Sequence, residues 1–353
     1  NTTIAINWLH IIKAHPEYLK KYIYVSSYIY TKLFFNIIKR IISYYLYFIK
    51  NCFYKKSNLK DKKIIIIIIS HLLNINQIRE KKDLYFGNLQ GILNKKKISS
   101  LRILINHTKI SSNKLNVSLK KKNNIVMPKY LNFFDEIKIF LYQVKEFLRL
   151  RKIINNITNE KKKFFLKRVS AYVFHIETTF ALRLQIQIKK YIQRHNPKFV
   201  ICTHEGYAWE RMVFNAVKSI NCSTKCIGYQ RVLFTQFQHA IKRKLKDKYN
   251  PHIIWASGSL SDQELNYGKN LNGIKIINVG SLKSGNNQAF KKNDIKKKIT
   301  CLVLPEGIFE ECFKLFRFSI ECAKIMPEVN FVWRLHPSLD YNTVMHRMKF
   351  DHV

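Results

Sequence analysis

Short apolar runs recur along this chain, and stretches with helical periodicity separate them. The clearest early runs are KKIIIIIISHL at 62–72 and LRILINHT at 101–108. Later runs lie at 199–202, 226–227, 253–255, 274–279, 302–304 and 330–335. Fully apolar strands that alternate with helices are typical of a parallel sheet covered on both faces. The pattern therefore predicts an α/β fold built on a doubly wound parallel sheet.

Glycines and prolines mark the ends of the later runs. The chain has only 10 glycines, and those that follow apolar runs are Gly206, Gly228, Gly258, Gly280 and Gly307. The prolines that precede such runs are Pro197, Pro251 and Pro327. Proline ends a helix and glycine opens a turn. We therefore expect the first four of these glycines at one edge of the sheet, where ligands of such sheets bind.

The same pattern predicts the domain organisation. Helices are expected at 83–93, 136–152, 160–195, 209–219, 261–269 and 309–325. We predict a helical, aromatic and basic region at 1–60, a Rossmann-like domain at 61–282, a polar linker at 283–298 and a second Rossmann-like domain at 299–353. Two strands are too few for a stable domain. We therefore expect the second domain to be incomplete, with further strands beyond Val353 and an apolar face left uncovered.

The charge of the chain is strongly positive and bears on its partners. Lys and Arg together number 63 against 22 for Asp and Glu, which gives a net charge of +41. Such a chain is attracted to polyanions such as nucleic acid, anionic lipid or phosphorylated substrates. The lysines are spread along the chain and no recognised nucleic-acid motif is present. A nucleic-acid-binding protein is therefore the weaker alternative.

The cellular location is suggested by two further features. No uncharged apolar run is long enough to span a membrane. The aromatic-rich segment at 22–50 is interrupted by Lys32, Lys39 and Arg40, which fits helices packed on a core or a helix lying on a membrane surface. The 7 cysteines include no CxxC pair, as in proteins of reducing compartments. We expect a cytoplasmic protein, with peripheral contact to the anionic inner face of the plasma membrane as an open alternative.

Four motifs in order carry a resemblance to a known family. They are THEGYAWERMVFNAVKS…KCIGYQ at 203–230, NVGSL at 278–282, LPEG at 304–307 and WRLHP at 333–337. Together they resemble bacterial surface-carbohydrate biosynthesis proteins of GT-B glycosyltransferase type, from capsule and O-antigen clusters. A wider similarity is to bacterial sialyltransferases that use a CMP-activated sugar and carry a His-Pro motif. The resemblance implies a GT-B-like fold, in which one Rossmann-like domain follows another.

The resemblance also suggests where the acceptor side of the site lies. Inverting transfer needs a carboxylate or histidine that takes the proton of the acceptor hydroxyl. Glu205 is the candidate base, with Glu210 as a second catalytic candidate whose alternative role is charge compensation at a helix N-terminus. The chain departs from the family's acidic-acidic-Gly motif, because each of its two matching glycines follows only one acid. Candidates for the acceptor cleft are His204, Gly206, Tyr229 and Gln230.

Donor binding is expected in the second domain. The resemblance implies that His336 contacts the donor phosphate, that Pro337 fixes the turn and that Arg334 adds charge. Glu306 and Gly307 would orient a loop or the donor ribose. No DxD, GxGxxG, GxxxxGK[ST] or HExxH motif is present, so we expect a metal-independent reaction with no cofactor beyond the nucleotide-sugar donor.

The predicted function is glycosyl transfer in bacterial surface polysaccharide biosynthesis. The donor would be a nucleotide-activated sugar, CMP-linked in the wider family, and the acceptor a saccharide or a lipid-linked saccharide. Two alternatives remain open besides this enzyme. One is the basic nucleic-acid-binding protein, and the other is a catalytically inactive assembly factor of the same fold.

Overall fold

The fold is taken from a computed structural model of the chain. The described residues are 35, 37, 38, 42, 45, 63–78, 83–108, 110–119, 123–220, 223–232, 240–267, 271–283, 299–305, 308–336 and 339–348. Most of the predicted 1–60 region and of the 283–298 linker therefore lies outside the description, as do Glu306, Gly307 and Pro337. The chain divides into two compact units, 1–285 and 286–353.

The first unit holds seven strands and seven helices among its described residues outside 35–45. The strands are β1 (Ile66–Leu72), β2 (Ser100–Asn106), β3 (Asn124–Val126), β4 (Phe199–Thr203), β5 (Lys225–Tyr229), β6 (Ile253–Ala256) and β7 (Lys275–Asn278). The helices are α1 (Leu89–Lys95), α2 (Ser112–Leu119), α3 (Phe133–Asn155), α4 (Glu160–Tyr172), α5 (Ile176–His195), α6 (Ala208–Lys218) and α7 (Ser259–Asn266).

These strands form one parallel sheet in the order β3-β2-β1-β4-β5-β6-β7. Every neighbouring pair is parallel. The chain winds outward from β1 in one direction and from β4 in the other, so the order reverses between these two strands. Loops that leave neighbouring carboxyl ends at such a point diverge and leave a crevice. The point of reversal is therefore the place where a ligand site is expected.

The core lies on both faces of the central strands. Side chains alternate across a strand, and Ile67 and Ile69 of β1 pack into one apolar cluster with α5 and α6. Ile66 and Ile68 pack into a second cluster on the opposite face, together with Phe86. The run of isoleucines at 64–69 is thus apolar throughout because both faces of its strand are covered.

The predicted fold class is confirmed. The chain is α/β and GT-B-like in that a doubly wound parallel sheet is followed by a second Rossmann-like unit. The prolines at 197, 251 and 327 each lie two residues before a strand. Gly206, Gly258 and Gly280 follow the carboxyl ends of β4, β6 and β7, as predicted. Gly228 does not, because it lies inside β5.

Two predicted helices are wrong in extent. The stretch at 83–93 begins with turns, and only α1 is helical, because Asp83 accepts the backbone N–H groups of Tyr85 and Phe86 and holds a tight turn. The single helix predicted at 160–195 is two helices, α4 and α5. His175 caps the second of them through its side chain. Strand β3 has three residues and was not predicted.

The second unit contains β8 (Ile299–Val303), α8 (Phe309–Ile325), β9 (Val329–Trp333) and α9 (Tyr341–Met348). Strands β8 and β9 are parallel neighbours, as predicted. Phe316 of α8 stacks on Trp333 of β9 with ring centroids 4.3 Å apart. On the other side of this two-stranded sheet Leu302 is 50% exposed and Val332 is 46% exposed. Within the described part of the chain, every helix is too short or too polar to cross a bilayer.

Candidate active site

The turn between β4 and α6 is organised by one buried carboxylate. Oε2 of Glu210 accepts the backbone N–H groups of Glu205, Gly206 and Tyr207 at 2.9, 2.8 and 2.9 Å. The hydroxyl of Thr203 donates to Oε1 at 3.2 Å. Burial raises the pKa of Glu210 to about 7, although the three N–H donors favour the charged form. The orphan donors at a helix N-terminus usually attract an anion, and here the chain supplies its own.

Gly206 lets this turn pack closely on the loop after β5. Its φ is +92°, in the left-handed region that favours glycine. A Cβ at this position would lie 2.4 Å from the carbonyl carbon of Ala240. The Arg211 guanidinium, on the next helix, holds the same loop by donating to the carbonyl oxygens of Ala240 and Arg243 at 3.0 and 3.1 Å. These contacts with the loop after β5 therefore fix the conformation of residues 203–207.

Glu205, the candidate base, lies at the sheet edge with 11% of its side chain exposed. Its Oε1 lies 3.1 Å from Nε of Arg231, which follows the carboxyl end of β5. The hydroxyl of Tyr207 also donates to its carboxylate. Burial raises the pKa of Glu205 and the charge of Glu210 adds to the rise, while Arg231 and Tyr207 lower it. The net effect is a more basic carboxylate than a solvated one.

The site extends from Glu205 across the point where the strand order reverses. The Arg231 guanidinium carbon lies 4.3 Å from the centre of the Tyr85 ring. Tyr85 in turn packs edge-on against His71 at the end of β1, with ring centroids 5.2 Å apart. Trp209 of α6 packs edge-on against His71 at 5.0 Å. Side chains from the β1, β4 and β5 ends and the 83–87 turn thus meet in one place.

His71 and His107 form a hydrogen-bonded pair at the ends of neighbouring strands. Nδ1 of His71 lies 2.8 Å from Nε2 of His107. Burial, with smaller contributions from His107 and Arg231, lowers the pKa of His71 to about 3. Burial also lowers the pKa of His107. Both rings are therefore neutral near pH 7, so that one donates and the other accepts in the bond between them.

Asp83 anchors the turn that presents Tyr85. Its Oδ1 accepts the Ser70 hydroxyl at 2.8 Å, and its Oδ2 lies 3.2 Å from Nη1 of Arg102. Both side chains of this ion pair are nearly inaccessible to solvent, at 6% and 4% exposed for Asp83 and Arg102. Gly87 closes the turn with φ +53°, and a Cβ there would lie 1.9 Å from the carbonyl oxygen of Leu282. Replacing either member of the pair would leave a buried charge.

Three of the predicted acceptor-cleft residues lie in the core instead. His204 is 0% exposed, and its ring packs against Phe214 with Nδ1 3.5 Å from Oε2 of Glu210. Tyr229 is 1% exposed, and its hydroxyl accepts the Leu282 N–H at 3.0 Å. Gln230 is 2% exposed and accepts from Ser257. The prediction is wrong for these side chains because residues at the end of a buried strand still point into the covering layers.

The remaining predicted residues have mixed placements. Gly206 shapes the turn and is buried. Glu210 is 0% exposed, so it holds the turn and has no surface for an acceptor. Arg334 and His336 follow β9 and are both exposed. His336 lies beside a cavity of about 240 Å³ that is also lined by Phe316, Trp333, Leu335 and Tyr341. Nothing is described for Glu306, Gly307 and Pro337.

Sequence reasoning missed several residues of this site. They are His71, Asp83, Tyr85, His107, Tyr207, Trp209 and Arg231. The signal for the histidines was present, because each comes at the carboxyl end of an apolar run. Arg231 directly follows the strand-end pair at 229–230. Tyr85 lay in a segment interpreted as a helix, which concealed its place at the sheet edge.

The comparisons with known proteins give structural similarity at low identity. No family model matches the chain, and no curated protein matches it. The UDP-GlcNAc 2-epimerase from Methanocaldococcus jannaschii is 14% identical with a TM-score of 0.41, covering 81% of this chain and 68% of that one. A putative UDP-N-acetylglucosamine 2-epimerase from Listeria monocytogenes is 11% identical with a TM-score of 0.45, covering 81% and 66%. UDP-GlcNAc 2-epimerase from Neisseria meningitidis, bound to UDP-GlcNAc, is 12% identical with a TM-score of 0.41, covering 81% and 70%.

Proposed function

We propose that this protein is a metal-independent glycosyltransferase of bacterial surface polysaccharide biosynthesis. It would transfer a sugar from a nucleotide-activated donor, such as a CMP-sugar, to a saccharide or lipid-linked acceptor. The observation that carries the proposal is the position of Glu205. This carboxylate lies at the carboxyl edge of the sheet next to the point of strand reversal, and its pKa is raised.

Glu205 would act as the base. It takes the proton of an acceptor hydroxyl while the hydroxyl oxygen forms a bond to the anomeric carbon of the donor. The bond from that carbon to the phosphate oxygen breaks, and the nucleotide leaves with the electron pair. A carboxylate whose pKa is raised is a stronger proton acceptor, which suits this role. Arg231 keeps the carboxylate oriented and charged at a distance of 3.1 Å.

The neutral histidine pair would bind the acceptor next to this base. A neutral imidazole both donates and accepts hydrogen bonds, which matches the hydroxyl groups of a sugar. Trp209 and Tyr85 flank His71 with aromatic surface. A sugar ring has apolar C–H faces beside its hydroxyls, and aromatic rings offer matching apolar surface. These residues are therefore our candidates for acceptor binding, in place of His204, Tyr229 and Gln230.

The donor phosphate is assigned to the second unit. The turn before α6 has the N–H groups of Glu205, Gly206 and Tyr207 occupied by Glu210, so these three are not offered to an external phosphate. In the second unit Arg334 and His336 are exposed beside an aromatic cavity of about 240 Å³. That cavity would receive a ring of the nucleotide, with His336 and Arg334 at the phosphate. Pro337, Glu306 and Gly307 keep their predicted donor-side roles.

The location proposed for this activity is the cytoplasm, at the inner face of the plasma membrane when the acceptor is lipid-linked. Two alternatives have an observation in their favour. The net charge of +41 favours nucleic-acid binding. The ion pair between Glu205 and Arg231 favours the assembly factor, because a carboxylate held by a cation is a weaker base.

A donor screen tests the proposal. The purified chain is incubated with CMP-, UDP- and GDP-activated sugars, and binding is measured by calorimetry at two salt concentrations beside binding of duplex DNA. We expect saturable binding of one nucleotide sugar and product formation only when an acceptor saccharide is added. Conversion of the donor without an acceptor would contradict transfer. Salt-sensitive DNA binding alone would support the nucleic-acid alternative.

A further inference from the structure

The outward face of α3 (Phe133–Asn155) carries a row of exposed apolar side chains beside a row of exposed lysines. Buried residues Glu136, Ile139, Gln143, Leu150 and Ile154 hold one side of this 23-residue helix against the first unit. On the opposite side Phe134, Leu141 and Leu148 recur every seven residues, and they are 72%, 60% and 60% exposed. Residues seven apart lie nearly one above the other on a helix. The helix therefore presents a row of apolar side chains, about 10 Å apart along its axis, to the surroundings.

A row of lysines runs beside the apolar row. Lys138, Lys145 and Lys152 recur at the same seven-residue spacing, and all three are exposed. Within the described part of the chain none of them forms an ion pair. The carboxylates of α3 form ion pairs with cations other than these lysines: Asp135 pairs with Lys190, Glu136 with Arg183 and Glu146 with Arg149. The outward face thus carries positive charge that the helix itself does not neutralise.

We propose that the outward face of α3 docks on an anionic lipid surface. Apolar side chains beside lysines are the composition of helices that lie in the plane of a membrane interface. The apolar row would enter the boundary between headgroups and acyl chains, and the lysines would contact anionic headgroups. The helix is about 34 Å long at 1.5 Å per residue, which allows all six side chains to engage one flat surface.

The charge and apolarity of this face favour an anionic lipid surface over two other partners, a second copy of the chain and duplex nucleic acid. A second copy of the chain would bring two lysine rows together without compensating acids, which is unfavourable. Duplex nucleic acid would satisfy the lysines, but its phosphate backbone offers no apolar surface to the exposed row. An anionic bilayer satisfies both rows at once. This inference deepens the proposed function, because a lipid-linked acceptor would lie at the same surface.

Vesicle co-sedimentation of the full chain tests the inference. The probes are vesicles of phosphatidylcholine alone and of phosphatidylcholine mixed with phosphatidylglycerol. We expect binding to the mixed vesicles that weakens with salt. The K138E/K145E/K152E variant should bind them roughly a hundredfold more weakly. L141S/L148S should bind less while keeping its charge. Circular dichroism checks that both variants fold.

The matched control reverses the charge of three exposed lysines that lie near the starts of sheet strands. Lys198, Lys225 and Lys275 are exposed near the starts of β4, β5 and β7, so K198E/K225E/K275E should bind vesicles nearly as the parent does. Equal binding by the two triple variants would overturn the inference. The inference would also be overturned if K138E/K145E/K152E lost self-association or DNA binding without any change in its vesicle binding. Donor binding by calorimetry reports the proposed function separately, because its assigned residues lie in the second unit.

Discussion

Oε2 of Glu210 lies 2.8 Å from the backbone nitrogen of Gly206, deep beneath the turn that carries Glu205. The same oxygen accepts the N–H groups on either side. A carboxylate in this position acts on the turn rather than on a substrate, because none of its surface is exposed. Two acids five residues apart therefore differ in role: Glu210 positions the loop, and Glu205 is presented by it.

The Glu210→Ala substitution should destabilise the protein through these backbone groups. It leaves N–H donors in and near the core without an acceptor, and each such loss costs about 1–3 kcal/mol. We expect a decrease of roughly 3 kcal/mol or more in the free energy of unfolding, measured by urea titration. Glu264→Ala is the control, since Glu264 is an exposed carboxylate paired with Lys242. A similar small decrease for both would show that Glu210 does not hold the turn.

Two glycines with positive φ allow two costs of a glycine-to-alanine substitution to be separated. One is the cost of the left-handed backbone conformation, and the other is the cost of overpacking where the turn approaches residue 240. Gly206 and Gly280 have φ of +92° and +72°, but only Gly206 has atoms where a Cβ would go. Gly280→Ala should cost about 1–2 kcal/mol for the left-handed conformation alone. Gly206→Ala should cost a further 1–3 kcal/mol or so from overpacking. Thermal unfolding of both variants measures the difference, and equal costs would refute the contact with residue 240.

The hydroxyl of Tyr207 should tune the acid limb of the activity profile. It donates to the carboxylate of Glu205 and lowers its pKa, as Arg231 does, while burial and Glu210 raise it. Activity needs the ionised base, so it falls as pH decreases through this pKa. Removing the hydroxyl raises the pKa and moves the limb to higher pH. The log kcat/KM of Tyr207→Phe against pH should show this shift, and that of Tyr267→Phe, an exposed tyrosine, should not.

Donor binding should depend on His336. The side chain is exposed at the end of β9 beside the aromatic cavity. If it donates to a donor phosphate, His336→Ala loses a hydrogen bond to a charged group, worth about 1.5–3 kcal/mol. We expect an increase of roughly tenfold or more in the Kd for the nucleotide sugar, measured by calorimetry. His346→Ala, which changes another exposed histidine of the second unit, should leave Kd unaltered, and equal effects would argue against a phosphate contact.

The sheet was predictable because its strands are apolar on both faces and bounded by proline and glycine. Ile67 and Ile68 point to opposite faces and are both buried, so β1 could be identified without any tertiary information. The broken helix at 172–176 was not predictable in this way. Its break depends on His175 capping α5 through its own side chain and on Phe174 packing between Phe140 and Phe147.

The site was predictable only in part. The order of the motifs placed Glu205 and Glu210 at a strand end, but it did not indicate which of them would be buried. That difference arises because Glu210 is one helical turn further on and points back under the turn. The ion pair of Glu205 with Arg231 joins the ends of β4 and β5 and depends on strand order. Contacts between strand ends follow from topology, which periodicity along a chain does not contain.

Glu205→Gln tests the central claim most directly. The amide keeps the size of the side chain but cannot take a proton, and general base catalysis typically contributes about 10²–10⁴-fold in rate. With the donor and acceptor that the screen identifies, kcat should fall by that factor while Kd for the nucleotide sugar stays within about twofold of the parent. Glu264→Gln should leave both unchanged. Full transfer activity in Glu205→Gln would contradict the account, because the carboxylate at the sheet edge would then have no part in the chemistry.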